Sequence, residues 1–366
     1  MSDLIDLRKE EKMPDLRIID LFSGAGGLSL GFENAGFENL FSVEYNHEAA
    51  KTYITNFPAH KLIEDDIKSI SNDEILKLVG RNGVDVIIGG PPCQGFSMAG
   101  NIGRKFIDDE RNQLFREFVR FVDVIQPKMF VMENVARLDT HNKGQTIQEI
   151  LNEFEKVGYQ VKKEVLQAAD YGVPQKRQRI FIVGYKSGTF KFPKAQEYVT
   201  TVEEAIGDLP ILESGQNSVI PNHFAMKHSE QMLKKMAYIQ DGGDRNDIPE
   251  PLRPKSGDIR KYIRYASDKP SVTVTGDMRK VFHYSQNRAL TPRELARLQT
   301  FPDNFIFEGS SISIQQQIGN AVPPKLGQAI AEEIKKCLEL SEGNYGLQAP
   351  KNQLYREQRE NIAVGY

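Results

Sequence analysis

Short apolar runs alternate with stretches of helical spacing along the first half of the chain. Residues 17–22, 40–44, 84–89, 128–133 and 179–184 are rich in Val, Ile and Phe. Runs of this length predict strands buried on both faces, although a buried helical turn would have the same composition. Between them, 28–35, 112–125 and 145–157 carry apolar residues at helical spacing. Strands alternating with helices predict a parallel sheet covered on both sides. After about residue 185 the alternation is lost, and turn signals accumulate at Asp241-Gly242-Gly243, Pro249-Glu250-Pro251 and Ser256-Gly257. This stretch reads as a smaller, less regular domain. Regularity returns at Thr291-Pro292-Arg293-Glu294, a capping-box pattern with proline at the first helical position. Residues 326–340 then read as a closing amphipathic helix, and 343–366 as a loosely held polar tail.

Composition narrows the class. Hydrophobic residues make up 39% and charged residues 27% of the 366, as in an ordinary globular protein. No apolar run approaches the roughly 20 residues of a membrane helix. The first eleven residues are charged rather than signal-like, so a cytoplasmic location is expected. Two cysteines, Cys93 and Cys337, are too few for a disulfide framework, and no Cys/His cluster has zinc-ligand spacing. The net charge of −3 hides an asymmetry. Residues 1–75 carry seven Lys/Arg against fifteen Asp/Glu, whereas 251–293 carry ten Lys/Arg against three Asp. The second segment has the balance of a local anion-binding surface, or of a solvated charged face.

Two motifs carry chemistry. Run 17–22 leads into Ser23-Gly24-Ala25-Gly26-Gly27, and a helical pattern follows. Glycines at a strand-to-helix turn let a ligand approach the backbone, and Glu44 follows Gly24 by 20 residues, about where nucleotide-binding folds keep an acid for ribose hydroxyls. A glycine turn needed only for packing, or a dinucleotide-binding dehydrogenase, would share this signal. The second motif is Gly89-Gly90-Pro91-Pro92-Cys93-Gln94-Gly95. Two prolines hold the backbone ahead of a thiol at a strand end, which suits a nucleophile that must be activated as thiolate. Cys337, on an amphipathic pattern, reads instead as a small buried hydrophobe.

Taken together, these segments resemble the DNA cytosine-5 methyltransferases of bacterial restriction-modification type. The resemblance rests on Asp20-Leu21-Phe22-Ser23-Gly24-Ala25-Gly26-Gly27 and Gly90-Pro91-Pro92-Cys93-Gln94, followed in order by Glu133-Asn134-Val135 and Gln175-Lys176-Arg177-Gln178-Arg179. Arg293-Glu294-Leu295-Ala296-Arg297-Leu298-Gln299 with Phe301-Pro302-Asp303, and then Gly319-Asn320-Ala321-Val322-Pro323-Pro324, complete it. It implies an α/β, Rossmann-like S-adenosylmethionine-dependent methyltransferase domain over 1–188 and 312–342, with a small target-recognition domain over 189–311. It also implies transfer of a methyl group from S-adenosyl-L-methionine to C5 of a cytosine rotated out of duplex DNA.

By the same resemblance Cys93 attacks C6, Glu133 contacts N3 and the exocyclic amine, Arg179 binds O2 and orients Glu133, and Arg177 sits beside Arg179 near the phosphates. The cofactor pocket would comprise Phe22, Gly24, Gly26 and Gly27 at the methionine portion and Glu44 at the ribose. Tyr45 and Ile67 would flank the adenine and Asp66 would bind its amine, with Pro92, Leu114, Asn320 and Val322 completing the pocket. Stretch 98–111, with Gly100 and Gly103, would form a lid. Arg260, Lys261, Arg264, Arg279 and Lys280 are the candidates for DNA contact, and Ser271-Val272-Thr273-Val274-Thr275 resembles a threonine-bearing element of recognition regions, unless it is a plain edge strand. The family implies double-stranded DNA as partner, no metal, a monomer, and functional pairing with a restriction endonuclease. A transfer-RNA branch of the family uses the same catalytic residues, but its Cys-Phe-Thr signature is absent here.

Overall fold

The computed structural model describes residues 16–81, 83–92, 113–254 and 261–346. Cys93, the expected lid 98–111, Arg260 and the tail past Gly346 lie outside the described residues. Seven strands form the central sheet: β1 (Arg17–Leu21), β2 (Glu38–Glu44), β3 (Leu62–Glu64), β4 (Val86–Gly89), β5 (Met129–Val135), β6 (Gln160–Gln167) and β8 (Gln178–Tyr185). Their order is β3-β2-β1-β4-β5-β8-β6. The short β7 (Gln175–Lys176) leads into β8 and stands outside this sheet.

Apolar residues on both sides of each central strand explain why these runs are continuous rather than alternating. Ile19, Ile87, Phe130 and Met132 pack on one face, with Phe115, Phe118, Phe121 and Val122 of α4 (Gln113–Ile125) and Phe154 of α5 (Gln145–Lys156). Ile18, Val86, Ile88, Met129 and Val131 pack on the other, with Leu28 and Phe32 of α1 (Gly27–Asn34) and Leu326, Ile330 and Ile334 of α10 (Pro324–Gly346). The architecture is a doubly wound, Rossmann-like α/β sheet.

The expectation of a parallel sheet holds for β3, β2, β1, β4 and β5 and needs correction at one edge. Both β8 against β5 and β6 against β8 are antiparallel. Strands β3 and β6 escape the apolar-run criterion because they are short or largely exposed; β6 reads Gln-Val-Lys-Lys-Glu-Val-Leu-Gln at the sheet edge.

Between β8 and residue 291 the described chain is mostly irregular, with two short α-helices, α6 (Val202–Ile206) and α7 (Glu230–Met236), and the two-residue strands β9 (Ile263–Arg264), β10 (Ser271–Val272) and β11 (Val281–Phe282). Helix α8 (Pro292–Leu298) starts on the predicted capping box: Thr291 Oγ1 accepts from Glu294 N while Glu294 Oε2 accepts from Thr291 N. Helix α9 (Ser311–Asn320), rich in Ser and Gln, has no clear apolar stripe in sequence and goes unpredicted. The irregular region shares a core with the sheet domain, since Val202, Val274, Leu295 and Phe301 cluster with Ala25, Tyr53 and Phe57.

Candidate active site

The chain runs from β1 outward to β2 on one side and returns to β4 on the other, so the sheet opens a crevice at the carboxyl ends of β1 and β4. A cavity of about 770 Å³ occupies it. The β1–α1 turn forms its floor. Phe22 stands at φ 62 and Gly24 at φ 57, a left-handed pair at the strand end. For Phe22 that conformation costs on the order of 1 kcal/mol, held by the surrounding packing. The glycines do different work. A Cβ at Gly24 would meet nothing within 4 Å, so this position is open to a ligand. A Cβ at Gly27 would lie 2.3 Å from Val322 O, and one at Gly26 2.4 Å from the Phe57 ring, so both serve close packing.

Glu44, at the end of β2, accepts from Gly24 N at 2.8 Å and from Asn46 N at 2.6 Å. Burial raises its pKa against these hydrogen bonds. Asp66 caps the short turn that holds Ile67, accepting from Lys68 N, while Ile67 is 3% exposed. Phe22, Gly24, Gly27, Glu44, Tyr45, Asp66, Ile67, Pro92, Leu114, Asn320 and Val322 all line the cavity; Gly26 lies behind it.

The opposite wall carries a largely buried pair of a carboxylate and a guanidinium. Glu133 lies within β5, and Arg179, opposite Val135 at the start of β8, reaches it with Nε to Oε1 at 2.8 Å. Antiparallel pairing is what brings the first residues of β8 to the carboxyl end of β5. Both side chains line the cavity with Gly90, Pro91 and Pro92. Asn134 Nδ2 donates to Pro91 O at 3.0 Å, tying β5 to the proline segment that precedes Cys93. Burial raises the Glu133 pKa, opposed by the positive charges of Arg179 and then Arg177. A carboxyl poised toward its protonated form suits proton donation to a bound ring.

Arg177 departs from its expected place near phosphates. It is wholly buried, and it donates to Val274 O at 3.1 Å, Gly319 O at 2.9 Å and Ala321 O at 2.9 Å. It therefore ties the strand bearing Arg179 to the irregular region and to the end of α9. Arg264, expected among the DNA-contacting cations, is also buried; its guanidinium donates to the carbonyls of Ile239, His283, Gln286 and Met236 and to Asn287 Oδ1. Of segment 271–275 only Ser271–Val272 form a strand, β10, paired in parallel with β7.

Sequence reading missed Asp20, whose motif position gave it no separate role. It lines the cavity at 1% exposure, accepts from Ser29 Oγ at 2.6 Å, and forms no ion pair among the described residues. Burial pushes its pKa up to about 7. With Glu44 and Asp66 it gives the crevice an acidic lining, which suits a cofactor bearing a sulfonium and an ammonium better than one bearing pyrophosphate. Ser313, Gln316 and Gln317, on the unpredicted α9, line the same cavity.

Fold and crevice define a Rossmann-like methyltransferase. A model of the C-5 cytosine-specific DNA methylase family matches residues 16–336. The Type II methyltransferase M1.HphI of Haemophilus parahaemolyticus is 62% identical over 324 residues, covering 88% of this chain and 87% of its own. M.DdeI of Desulfomicrobium norvegicum is 38% identical over 376 residues, covering 88% and 89%. Among solved structures, a DNA modification methyltransferase encoded within a prophage (E. coli) superposes with a TM-score of 0.74 at 28% identity, over 89% of this chain and 100% of that one. The chain belongs to the C-5 cytosine-specific DNA methylase family. Among the described residues, no helix is long and apolar enough to cross a membrane, and no group of three or more His, Cys, Asp or Glu could hold a metal ion.

Proposed function

We propose that this chain methylates C5 of a cytosine in duplex DNA, using S-adenosyl-L-methionine and a covalent adduct between Cys93 and C6, as the modification half of a type II restriction-modification system. The observation that carries this reading is the Glu133–Arg179 pair in the same crevice as the Gly24 turn, beside Pro91 and Pro92, one residue short of Cys93. The bound cofactor would supply an electrophilic methyl group, held by the Phe22–Gly27 turn, Glu44, Asp66, Asn320 and Val322.

Cytosine C5 is a poor nucleophile until a thiolate adds at C6 and turns the ring into an enamine. Glu133, with its raised pKa, holds a proton at N3 as charge moves onto the ring. Arg179 keeps Glu133 in position and donates to O2. After transfer water takes the C5 proton, the electron pair of that C–H bond re-forms the C5–C6 double bond, and the C6–S bond breaks to release Cys93 as thiolate, restoring the aromatic ring. Reaching C6 requires the nucleotide to leave the stack, at roughly a few kcal/mol, offset by contacts to the flanking strands. The irregular region after β8 supplies those contacts in this reading, and the enzyme works as a monomer.

Cys93→Ser tests the mechanism directly: methyl transfer vanishes while binding of S-adenosyl-L-methionine persists. Turnover near wild type in that variant refutes the adduct. Duplex DNA carrying 5-fluorocytosine at the target traps the enzyme covalently, because fluorine cannot leave as a proton; a reaction that yields no stable complex counts equally against it. Labelled cofactor offered with duplex DNA or with transfer RNA identifies the nucleic acid.

A further inference from the structure

We propose that Arg279, held by Asp277, is the residue of the irregular region that reads a guanine base within the target word. This rests on the function proposed above and assigns the base contact to one side chain. Of the described cations in the basic stretch 251–293, Arg264, Arg288 and Arg293 are buried with their guanidinium groups engaged inside the protein, Arg253 donates to the carbonyls of Ile248 and Asn246, and the exposed Lys269 and the Asp277-bound Lys261 lack a guanidinium fork. Lys280 lies over the Tyr262 ring at 5.0 Å. Arg279, by contrast, has a side chain 55% exposed.

Its guanidinium is exposed but not loose. Asp277 Oδ1 accepts from Arg279 Nε at 2.8 Å and Oδ2 from Nη2 at 3.3 Å, while the same Oδ2 accepts from Lys261 Nζ at 2.8 Å. The carboxylate thus grips the Nε–Nη2 edge and leaves the Nη1–Nη2 end, with two parallel N–H groups, pointing away from it. That end matches the O6 and N7 acceptors of guanine in the major groove.

The position fits. Met278 N donates to Gln315 Oε1 at 3.2 Å, and a Cβ at Gly319 would lie 2.5 Å from the Thr275 carbonyl carbon, so the turn bearing Asp277 and Arg279 is seated on α9. Gln316, Gln317 and Asn320 of that helix line the crevice, so the turn stands at its rim.

The test is to methylate a randomised duplex library with the full chain and to read 5-methylcytosine by sequencing, for wild type, Arg279→Ala, Arg279→Lys and Lys261→Ala. Arg279→Ala and Arg279→Lys should both lose discrimination at one position, a guanine in the wild-type word, by roughly ten- to a hundredfold, with the other positions unchanged. Lysine keeps the charge but not the fork, so loss in both variants separates base reading from charge. Lys261→Ala should leave the word intact. The inference is overturned if Arg279→Ala weakens all sequences uniformly, as a phosphate contact would, or retains the wild-type word. Wild-type protein that methylates no DNA at all strikes the proposed function itself.

Discussion

The sheet domain and the irregular region after β8 solve the same problem in different ways. In the sheet domain, backbone polar groups pair in strand ladders and helices, and the interior is mostly hydrocarbon: Ile19, Phe118, Phe130 and Phe154 are wholly buried. In the irregular region few ladders exist, so buried arginines provide the donors. Arg264 reaches four carbonyls, Arg293 donates to those of Pro221, Pro302 and Phe305, and Arg288 grips Glu294 with both ends of its fork. A region built largely of loops brings loop carbonyls into its core, and those carbonyls need donors. Arginine supplies up to five in one plane. The lesson is that a cluster of cations in sequence divides into those that face a ligand and those that replace secondary structure.

Removing one of these internal donors should have the largest effect on stability. Arg288→Met leaves Glu294, at 0% exposure, without its ion pair, and is expected to cost about 3–5 kcal/mol. A melting temperature within a degree of wild type would break the comparison. In the sheet domain the unusual charge is Asp20. Its carboxyl is raised to about 7 in the native state, so between about pH 4 and 7 the folded chain holds a proton that the unfolded chain has lost. The Asp20 contribution to stability therefore falls as pH rises through that window, on the order of a few kcal/mol, and Asp20→Asn should lessen the fall, leaving the share of Glu44 and Glu133, whose carboxyls burial also raises. Melting curves at pH 5 and pH 8 with equal drops in both proteins would contradict this.

Gly27→Ala drives a methyl group against Val322 O and should destabilise by roughly 1–3 kcal/mol. Because both residues line the cavity, affinity for S-adenosyl-L-methionine, measured by calorimetry, should weaken with it. Ser71→Ala is the mildest. It removes the capping box of α3 (Asn72–Val79), at about 1 kcal/mol, and should leave methyl transfer unchanged. A larger loss for Ser71→Ala than for Arg288→Met would reverse the contrast between the two regions.

Much of the sheet domain was legible in the sequence because its signals are local. Continuous apolar runs mark strands buried on both faces, helical spacing marks the covering helices, and Thr291-Pro292-Arg293-Glu294 marks a helix start, since each depends on neighbours a few residues away. The Gly24 turn and the proline pair before Cys93 are local in the same sense. What only the tertiary structure decided are matters of long range. Arg179 reaches Glu133 because β8 runs antiparallel, and direction is not written in a strand's composition. Arg177 and Arg279 both read as exposed cations, yet the first is enclosed by carbonyls from residues 97 to 144 positions away and the second is turned outward by Asp277. A side chain's charge belongs to the sequence; whether water, a carbonyl or a base receives it depends on which distant segment the fold lays beside it.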